Sequence, residues 1–357
     1  MTAEYRTHPG AVSGAGAALL SALLFGVTTP LAKQLLTGTN PLLIAGLLYA
    51  GSGFGLTLLI LVQDHGRFVL GLPRSDRPWL AGAVLTGGVL GPALLMFGLS
   101  RADAAAASLL LNLEAVFTAV IAWVIFHEAT SRRVVLGFVL IFIGSLALVW
   151  PTTVARGQSL SALAAIAGAC ACWAVDNNLT RKISAGNARA IAAVKGLAAG
   201  VTNVGLALSL QTSLPPSGKL WASLVLGFVG YGMSLVLFIY SLRNLGTART
   251  GAYFATAPFI GSAVAIAMYG EPVGWPFGIA ALCMALGVWL HLTEAHEHEH
   301  AHEPLIHTHS HSHDEHHQHE HETGWDGGEP HMHEHRHEPL RHSHPHFPDI
   351  HHQHTHH

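Results

Sequence analysis

Residues 104–126 read AAAASLLLNLEAVFTAVIAWVIF, and Glu114 is their one ionisable side chain. About 20 apolar residues are enough for an α-helix to cross a bilayer, so this run predicts a transmembrane helix. Nine further apolar runs flank it, at 14–36, 41–63, 79–100, 133–150, 160–180, 188–210, 220–242, 247–269 and 274–292. The chain is therefore predicted to be an all-α integral membrane protein with ten transmembrane helices.

Near Leu292 the composition changes abruptly. Of the 28 histidines, 24 lie between His296 and His357. The net charge is +7 before residue 296, from sixteen basic and nine acidic residues, and −10 after it, from two and twelve. Apolar residues are too sparse there to offset the entropy cost of ordering the chain. Residues 293–357, which we call the His tail, are thus predicted to be disordered.

The basic residues predict the orientation of the chain. Short loops rich in lysine and arginine stay cytoplasmic, and with residues 1–13 placed inside, eleven basic loop residues fall inside and four outside. An even number of spans then returns the His tail to the same side. We expect a multi-pass protein of the cell (inner) membrane with both termini cytoplasmic.

The apolar region contains an internal repeat. Phe25–Lys33 aligns with Trp173–Arg181, and Val116–Glu128 aligns with Phe259–Glu271 at nearly the same offset. Residues 14–150 and 151–292 are therefore predicted to be two copies of a five-helix unit. Because five is odd, the second copy crosses the membrane in the opposite direction, which gives the inverted repeat that is common among secondary transporters.

These features resemble the EamA branch of the drug/metabolite transporter (DMT) superfamily. The resemblance rests on the two five-span halves, on the span ends His127-Glu128 and Gly270-Glu271, and on the string CWAVDNNLTRK at Cys172–Lys182. It implies a secondary carrier of small solutes, commonly an exporter of metabolites or toxic compounds, and not an enzyme. The implied partners are lipid and a small-molecule solute, with no nucleic acid and with a homodimer left open. The His tail departs from the basic family pattern.

Glu114 is the first candidate for a transport residue. It lies near the middle of its span, at the depth where carriers bind substrate, and a charged group there costs about 2.5–3.5 kcal/mol on insertion scales. It is either a carboxylate that carries protons or cations, or a structural group bonded to a neighbouring helix. Asn112 projects to nearly the opposite side of an ideal helix, so the two are not expected to share a ligand.

Asp176 and Lys195 lie at equal predicted depth inside the cytoplasmic face. Buried opposite charges usually pair, so we expect an ion pair that is either structural or part of a gate or a binding site for a substrate carboxylate. Asn177 and Asn178 extend the polar patch around the helix. The predicted transport cavity thus contains Glu114, Asp176, Asn177, Asn178, Lys195 and Asn112.

The other polar residues at span ends, and the closely spaced glycines, are expected to have structural roles. Glu128 and Glu271 close equivalent spans, and we expect them to order loops or helix ends. The Gly-x-x-x-Gly pairs Gly51/Gly55, Gly87/Gly91 and Gly196/Gly200 are typical of close helix contacts.

Alternating histidines in the His tail predict metal binding, because neutral imidazole is a common ligand for borderline divalent metals. The donors suit Zn²⁺, Ni²⁺, Co²⁺ or Cu²⁺, although no cofactor is required. The alternative is a pH-responsive polyelectrolyte, and no single four-ligand site stands out. The candidate ligands are His298, His300, His302, His307, His309, His311, His313, His316, His317, His319, His321, His331, His333, His335, His337, His342, His344 and His346.

Together these signals predict an inner-membrane exporter that works by alternating access around Glu114. Two alternatives stay open: an efflux carrier for divalent transition metals fed by the His tail, and a membrane-anchored metal buffer or sensor. The P-loop signature of ATP-driven pumps is absent from the sequence.

Overall fold

The computed structural model describes residues 14–126, 132–155, 159–183, 186–271, 273–293, 297–301, 306–311, 331–336 and 341–345. The helical body and the His tail segment form two separate units. The helices of the body are α1 Gly14–Leu36, α2 Pro41–Gln63, α3 Arg77–Ala83, α4 Gly91–Leu99, α5 Ala104–Leu110, α6 Leu113–Phe126, α7 Arg132–Ala155, α8 Leu160–Ile183, α9 Ala188–Ser209, α10 Ser217–Gly227, α11 Ser234–Phe254, α12 Ala257–Tyr269 and α13 Trp275–Leu292.

The body is that of a multi-pass membrane protein. Within the described ranges, seven helical segments are long and apolar enough to cross a bilayer, and three shorter apolar helices accompany them. The predicted all-helical membrane body is confirmed, whereas the exact number of ten crossings stays a prediction. The seven segments are Gly14–Leu36, Pro41–Gln63, Arg74–Leu99, Ala104–Ile125, Leu160–Ile183, Ala188–Ser209 and Ser217–Ser241.

Local sequence explains where the helices that carry the site begin and end. Asn40 precedes Pro41, and its side chain accepts a hydrogen bond from the Leu42 amide at 2.9 Å. Asn187 caps α9 in the same way through the Arg189 and Ala190 amides. Side-chain oxygens at this position satisfy amides that have no partner within the helix. At the C-terminal end of α12, Gly270 adopts φ 61°, a left-handed conformation that glycine tolerates, and terminates the helix.

The two halves share two irregular features. A π-helical segment, Val84–Leu90, joins α3 to α4, and a second, Phe228–Met233, joins α10 to α11. A turn at 111–112 separates α5 from α6, and a turn at 255–256 separates α11 from α12. The predicted fourth span is therefore interrupted by a turn, and α11 passes without a break through 243–246, where a loop was predicted. Polar residues can extend a helix beyond the apolar layer, so hydropathy alone does not locate its end.

Glycines allow equivalent helices of the two halves to pack closely. The helix α2 lies against α9, where a methyl group at Gly196 would be 2.5 Å from the Gly53 nitrogen. The helix α7 lies against α13, where a methyl group at Gly287 would be 2.6 Å from the Gly137 oxygen. Such close backbone approach is typical of membrane helix interfaces, and it joins the two halves at two helix pairs.

Four short strands occur in the described segments of the His tail: β1 Glu297–Ala301, β2 Ile306–His311, β3 His331–Arg336 and β4 Arg341–Pro345. They pair antiparallel as β1 with β4 and β2 with β3. The predicted disorder is not confirmed for these segments, which are paired by backbone ladder hydrogen bonds. The other tail residues lie outside the described part of the chain.

Candidate transport cavity

The helix ends lie at two opposite faces of the body. At the face where α1 begins, Ser241 donates a hydrogen bond to the Gly14 carbonyl at 3.0 Å. Here α2 ends and α9 begins, joined by an ion pair of 3.0 Å between Arg189 and Asp64. We call this the Gly14 face, and the opposite one, where α1 ends, the Leu36 face.

A cavity lies among helices of both halves, with an empty volume of about 660 Å³ that includes some open solvent. Its lining extends from the middle of the helices toward the Gly14 face. The lining residues are Phe25, Tyr49, Ser52, Glu114, Trp173, Asp176, Asn177, Ala192, Lys195, Gly196, Tyr231, Ser234, Leu235, Phe238 and Phe254.

Glu114 lies in the first turn of α6, directly after the turn at 111–112. The amides at this point are bonded to preceding carbonyls, Asn112 N to Leu109 O at 3.1 Å and Glu114 N to Leu111 O at 3.0 Å. Asn177 of α8 donates a hydrogen bond to Glu114 Oε1 at 2.8 Å and another to the Thr118 hydroxyl at 3.3 Å. The carboxylate therefore lies between the two halves and is half-buried in the cavity wall.

Asp176 of α8 and Lys195 of α9 form an ion pair. Lys195 Nζ lies 2.6 Å from Asp176 Oδ1 and 2.8 Å from Oδ2, and it also donates to the Thr180 hydroxyl at 3.1 Å. Both residues are buried, with 7% and 3% exposed. Gly87 makes the room, because a methyl group there would collide with the Asp176 carboxylate. The pair is held from three helical segments.

Six aromatic rings line the same cavity as the charged groups, and Phe25 lies against three of the other five. Its ring centroid is 6.0 Å from Trp173, 5.7 Å from Tyr231 and 5.4 Å from Phe254. Tyr49 lies 5.1 Å from Tyr231, and Phe238 lies 4.9 Å from Phe254. Edge-on and tilted pairs of this kind are favourable, so the rings form one contiguous wall, which we call the aromatic wall.

The first π-helical segment anchors this wall. A π-helical turn displaces carbonyls from the regular helical ladder, and the Gly87 carbonyl accepts hydrogen bonds from Tyr49 Oη at 2.8 Å and Trp173 Nε1 at 2.9 Å. Asn203 donates to the Gly88 and Val89 carbonyls at 3.3 and 3.4 Å. Tyr49 Oη and Trp173 Nε1 thus donate to a backbone carbonyl, and the rings of these two residues line the cavity.

Two of the predicted cavity residues lie outside it. Asn112 is buried and donates to the Leu109 carbonyl at 3.0 Å and to Met284 Sδ at 3.8 Å. Asn178 donates to the Ala174 carbonyl at 2.9 Å and the Thr118 carbonyl at 3.2 Å. Both amides connect helices to one another and contact no cavity space.

Side-chain contacts close the Leu36 face. The two carboxylate oxygens of Glu271 accept hydrogen bonds from the Ala104 and Ala105 amides at 2.8 Å each. Lys33 donates to the Ala102 carbonyl, and Tyr269 donates to the Pro30 carbonyl at 2.7 Å. Glu271 thus orders a helix end. Its counterpart Glu128 lies outside the described residues.

The sequence prediction did not include the aromatic wall. Its six residues come from five helical segments and form no linear motif. One signal was present, because the internal repeat aligns Phe25 with Trp173, and these are neighbours in the wall. Equivalent residues of an inverted repeat that contact one another lie at the interface of the two repeats, where transporters of this kind bind substrate.

Histidines of the tail strands lie opposite one another in register. The pairs are His298–His344, His300–His342, His307–His335, His309–His333 and His311–His331. The candidate ligands His302, His313, His316, His317, His319, His321, His337 and His346 lie outside the described residues. Within the described ranges of the chain, no three His, Cys, Asp or Glu side chains converge on a metal position.

Comparisons with known proteins bear on this architecture. The model of the EamA-like transporter family matches residues 12–150 and again residues 160–293, once in each half. An uncharacterized transporter from Methanothermobacter thermautotrophicus is 25% identical over 290 residues, which cover 76% of this chain and 84% of that protein. One solved crystal structure shares the fold, with a TM-score of 0.60 at 18% identity over 78% of this chain and 96% of the other.

Proposed function

Because the chain belongs to the EamA-like transporter family, we propose that it is a secondary carrier that exports a small solute by alternating access. The observation that carries this proposal is Glu114, a carboxylate in a cavity at the middle of the membrane body, at the seam between its two halves. Carriers with inverted repeats bind substrate and coupling ion at such a seam. Glu114 binds the coupling proton or cation, and the aromatic wall contacts the solute.

The unequal faces of the body support alternating access. The cavity extends toward the Gly14 face, while Glu271, Lys33 and Tyr269 close the Leu36 face. By the distribution of basic residues the Gly14 face is cytoplasmic, in the inner membrane. An exporter loads solute from that side, so this arrangement is its loading state. The reverse state requires the Leu36 contacts to open and the Gly14 face to close.

A comparison of cells tests the proposal even while the solute is unidentified. Three strains express the wild-type chain, Glu114→Gln or no transporter, and the intracellular and external metabolites and metals of each are compared. We expect solutes to be depleted inside the wild-type cells and retained in the Glu114→Gln cells, as in cells without transporter. Equal amounts of both variants in the membrane fraction serve as the control. The same depletion with Glu114→Gln would contradict the role of the carboxylate.

For the His tail we propose an accessory role in binding divalent Zn²⁺, Ni²⁺, Co²⁺ or Cu²⁺. The support is the register of the strands, which places histidines directly opposite one another. Opposing residues of an antiparallel pair have Cβ atoms about 4.5–5.5 Å apart and lie on one face. Two imidazoles from such a pair are a common part of a metal site.

Two alternatives assign the metal a larger role, as cargo of an efflux carrier or as the ligand of a buffer. Against metal transport, Asp176 is already bound to Lys195 and is not free as a ligand in the membrane. A variant without residues 295–357 separates these functions. We expect solute export to persist and metal tolerance to fall. Loss of both would favour the metal exporter, and no change in either would contradict the accessory role.

A further inference from the structure

The connection between α2 and α3, residues 64–76, lies at the Gly14 face. Its first residue, Asp64, forms the ion pair with Arg189 at the beginning of α9, and its last residues, Arg74–Asp76, form a short 3₁₀ helix that leads into α3. No residue of this range belongs to the cavity lining given above. We call the connection the α2–α3 loop, and its surface is separate from the solute cavity.

One side of the α2–α3 loop is fixed to the helical body. The Asn187 amide donates a hydrogen bond to the Leu70 carbonyl at 3.2 Å. Leu70 and Leu72 pack against a buried cluster that contains Ile183, at the end of α8, and Ile191, at the beginning of α9. A loop that is held by a backbone hydrogen bond and by two apolar side chains has a defined outer side.

The outer side of the loop carries exposed apolar groups. Phe68 and Val69 directly precede Leu70, yet 39% and 61% of their surface is exposed. Trp79, in the first turn of α3, is 42% exposed. Contact of apolar surface with water is unfavourable, whereas tryptophan is enriched where a membrane meets water. These three side chains therefore fit the edge of a bilayer.

Three exposed arginines flank these apolar side chains: Arg67, Arg74 and Arg77. Arg74 and Arg77 lie three residues apart in the helical turn that leads into α3, and this spacing places them on one side of the turn. The loop also contains two acids. The charge of Asp64 is compensated by its ion pair, so Asp76 remains against three arginines and the surface is positively charged.

The end of α8 adds to this positive charge. The helices α3 and α8 are in contact where a methyl group at Gly82 would lie 2.9 Å from the Leu179 side chain. Within a few residues of this contact α3 begins and α8 ends, both at the Gly14 face. Arg181 and Lys182, in the last turn of α8, therefore lie beside the start of α3. The basic residues of this surface, which we call the basic corner, are Arg67, Arg74, Arg77, Arg181 and Lys182.

Lipid is the partner that this location supplies. The α2–α3 loop joins the membrane-spanning segments Pro41–Gln63 and Arg74–Leu99, so phospholipid headgroups border it. A positive surface alone would also suit a soluble anion. The exposed side chains of Phe68 and Val69, next to the arginines, instead match a partner with an anionic layer directly above an apolar one.

We propose that the basic corner binds the headgroups of anionic phospholipids in the leaflet that borders the Gly14 face, while Phe68, Val69 and Trp79 enter the edge of the acyl layer. Arginine forms paired, charge-assisted hydrogen bonds to phosphate oxygens. Each basic residue near a membrane surface strengthens the attraction to anionic lipid by about fivefold. The α2–α3 loop is thus a lipid-binding surface of the transporter.

Fluorescence quenching by brominated lipids measures this contact at one position. A bimane label is attached at Val69→Cys in a background without native cysteines, and the full-length protein is reconstituted in mixtures of phosphatidylcholine and phosphatidylglycerol, with one or the other brominated. We expect phosphatidylglycerol to bind beside the label about fivefold more tightly than phosphatidylcholine, or better. The same label at Leu210→Cys, which is 69% exposed at the opposite end of α9, should show no such preference.

Two results at position 69 would overturn the proposal. Equal affinity for the two lipids would mean that the arginines do not recognise anionic headgroups. Little quenching by either lipid would mean that the loop is covered by protein or faces water, and not lipid.

Charge variants identify the groups that bind the headgroup. Arg74→Gln combined with Arg77→Gln should reduce the preference at position 69 by about fivefold or more. Arg101→Gln is the matched control, because it removes an exposed arginine at the Leu36 face, where the guanidinium lies 3.9 Å from the Phe97 ring centroid. This control should keep the full preference. An unchanged preference in the double variant would refute the role of the arginines.

The wild-type chain supplies a measurement that needs no label and no variant. Native mass spectrometry of the protein, released from detergent with equal amounts of the two lipids, counts the lipids that stay bound. We expect more bound phosphatidylglycerol than phosphatidylcholine. Equal numbers of the two bound lipids would contradict the proposal.

Discussion

At the scale of single residues, the contrast between Glu114 and Lys195 has consequences for stability. Asp176 and Lys195 compensate each other in a buried site, and each charge alone would lose its hydration without a partner. Among the side chains that the structure describes, Asn177 alone donates a hydrogen bond to the Glu114 carboxylate, so the charge of Glu114 is compensated less completely. A group of this kind is available to a ligand, whereas a fully bonded pair is not.

Removal of one member of the ion pair should therefore destabilise the fold. We expect Lys195→Met to lower stability by about 3–5 kcal/mol, because Asp176 remains as an uncompensated buried charge. The double variant Lys195→Met with Asp176→Asn should recover most of that loss. Thermal unfolding in nanodiscs measures both. A double variant less stable than Lys195→Met would contradict the account of the pair.

Gly87 lies so close to Asp176 that even a methyl group does not fit between them. Gly87→Ala should lower the thermal stability of the protein, since the added methyl group collides with the Asp176 carboxylate. Gly205→Ala on α9 is the matched control, because nothing lies within 4 Å of the added methyl group. Alanine favours a helix over glycine by about 1 kcal/mol, so this control should be neutral or stabilising. Equal thermal stability of the two variants would contradict the close contact at Gly87.

At the scale of helices, the sequence predicted those features that depend on a few neighbouring residues, such as helix bounds and the depth of a side chain. The bounds of α1 and α2 agree with their apolar runs, because α2 has its own Asn40 and Pro41 start signal and both runs match the thickness of a bilayer. The equal depth of Asp176 and Lys195 also followed from their distance to the basic residues at the helix ends. These features depend on a few neighbouring positions.

Features that depend on contacts between helices could not be predicted in this way. The π-helical segments and the turns at 111–112 and 255–256 lie inside uniformly apolar sequence, where hydropathy has no contrast. The turn at 111–112 interrupts the regular helix directly before Glu114. The projection of Asn112 and Glu114 on an ideal helix therefore does not describe how these two side chains are placed. The aromatic wall likewise exists only once five helical segments have assembled.

Glu271 follows α12 and accepts hydrogen bonds from the first amides of α5, so it links these two helices at the Leu36 face. Its contribution to closing that face can be tested. Glu271→Ala removes the acceptor of the Ala104 and Ala105 amides, and should loosen the start of α5. A cysteine in place of the buried Ser108, in a background without native cysteines, should then react severalfold faster with a membrane-impermeant maleimide. Ser209→Cys, which is exposed at the end of α9, should react equally with and without Glu271→Ala. An unchanged rate at position 108 would contradict the closure by Glu271.

At the scale of the whole molecule, the chain consists of a membrane body with two matching halves and a separate His tail unit. The halves repeat their π-helical segments and turns but not their charges. The position of the Asp176 carboxylate is occupied in the first half by Thr28, which packs against Gly230 as Asp176 packs against Gly87. The two halves therefore share one helical framework. Their charged residues differ, so the Gly14 face and the Leu36 face are not equivalent.

We propose that this framework exports its solute in exchange for the proton or cation that binds Glu114. The most direct measurement is flux of the solute found by the cell comparison, in proteoliposomes under an imposed pH gradient. We expect the wild-type chain to drive solute against the direction of proton flow, and Glu114→Gln to fold and insert but to give the flux of empty liposomes. Gradient-driven flux of equal size in Glu114→Gln would contradict it.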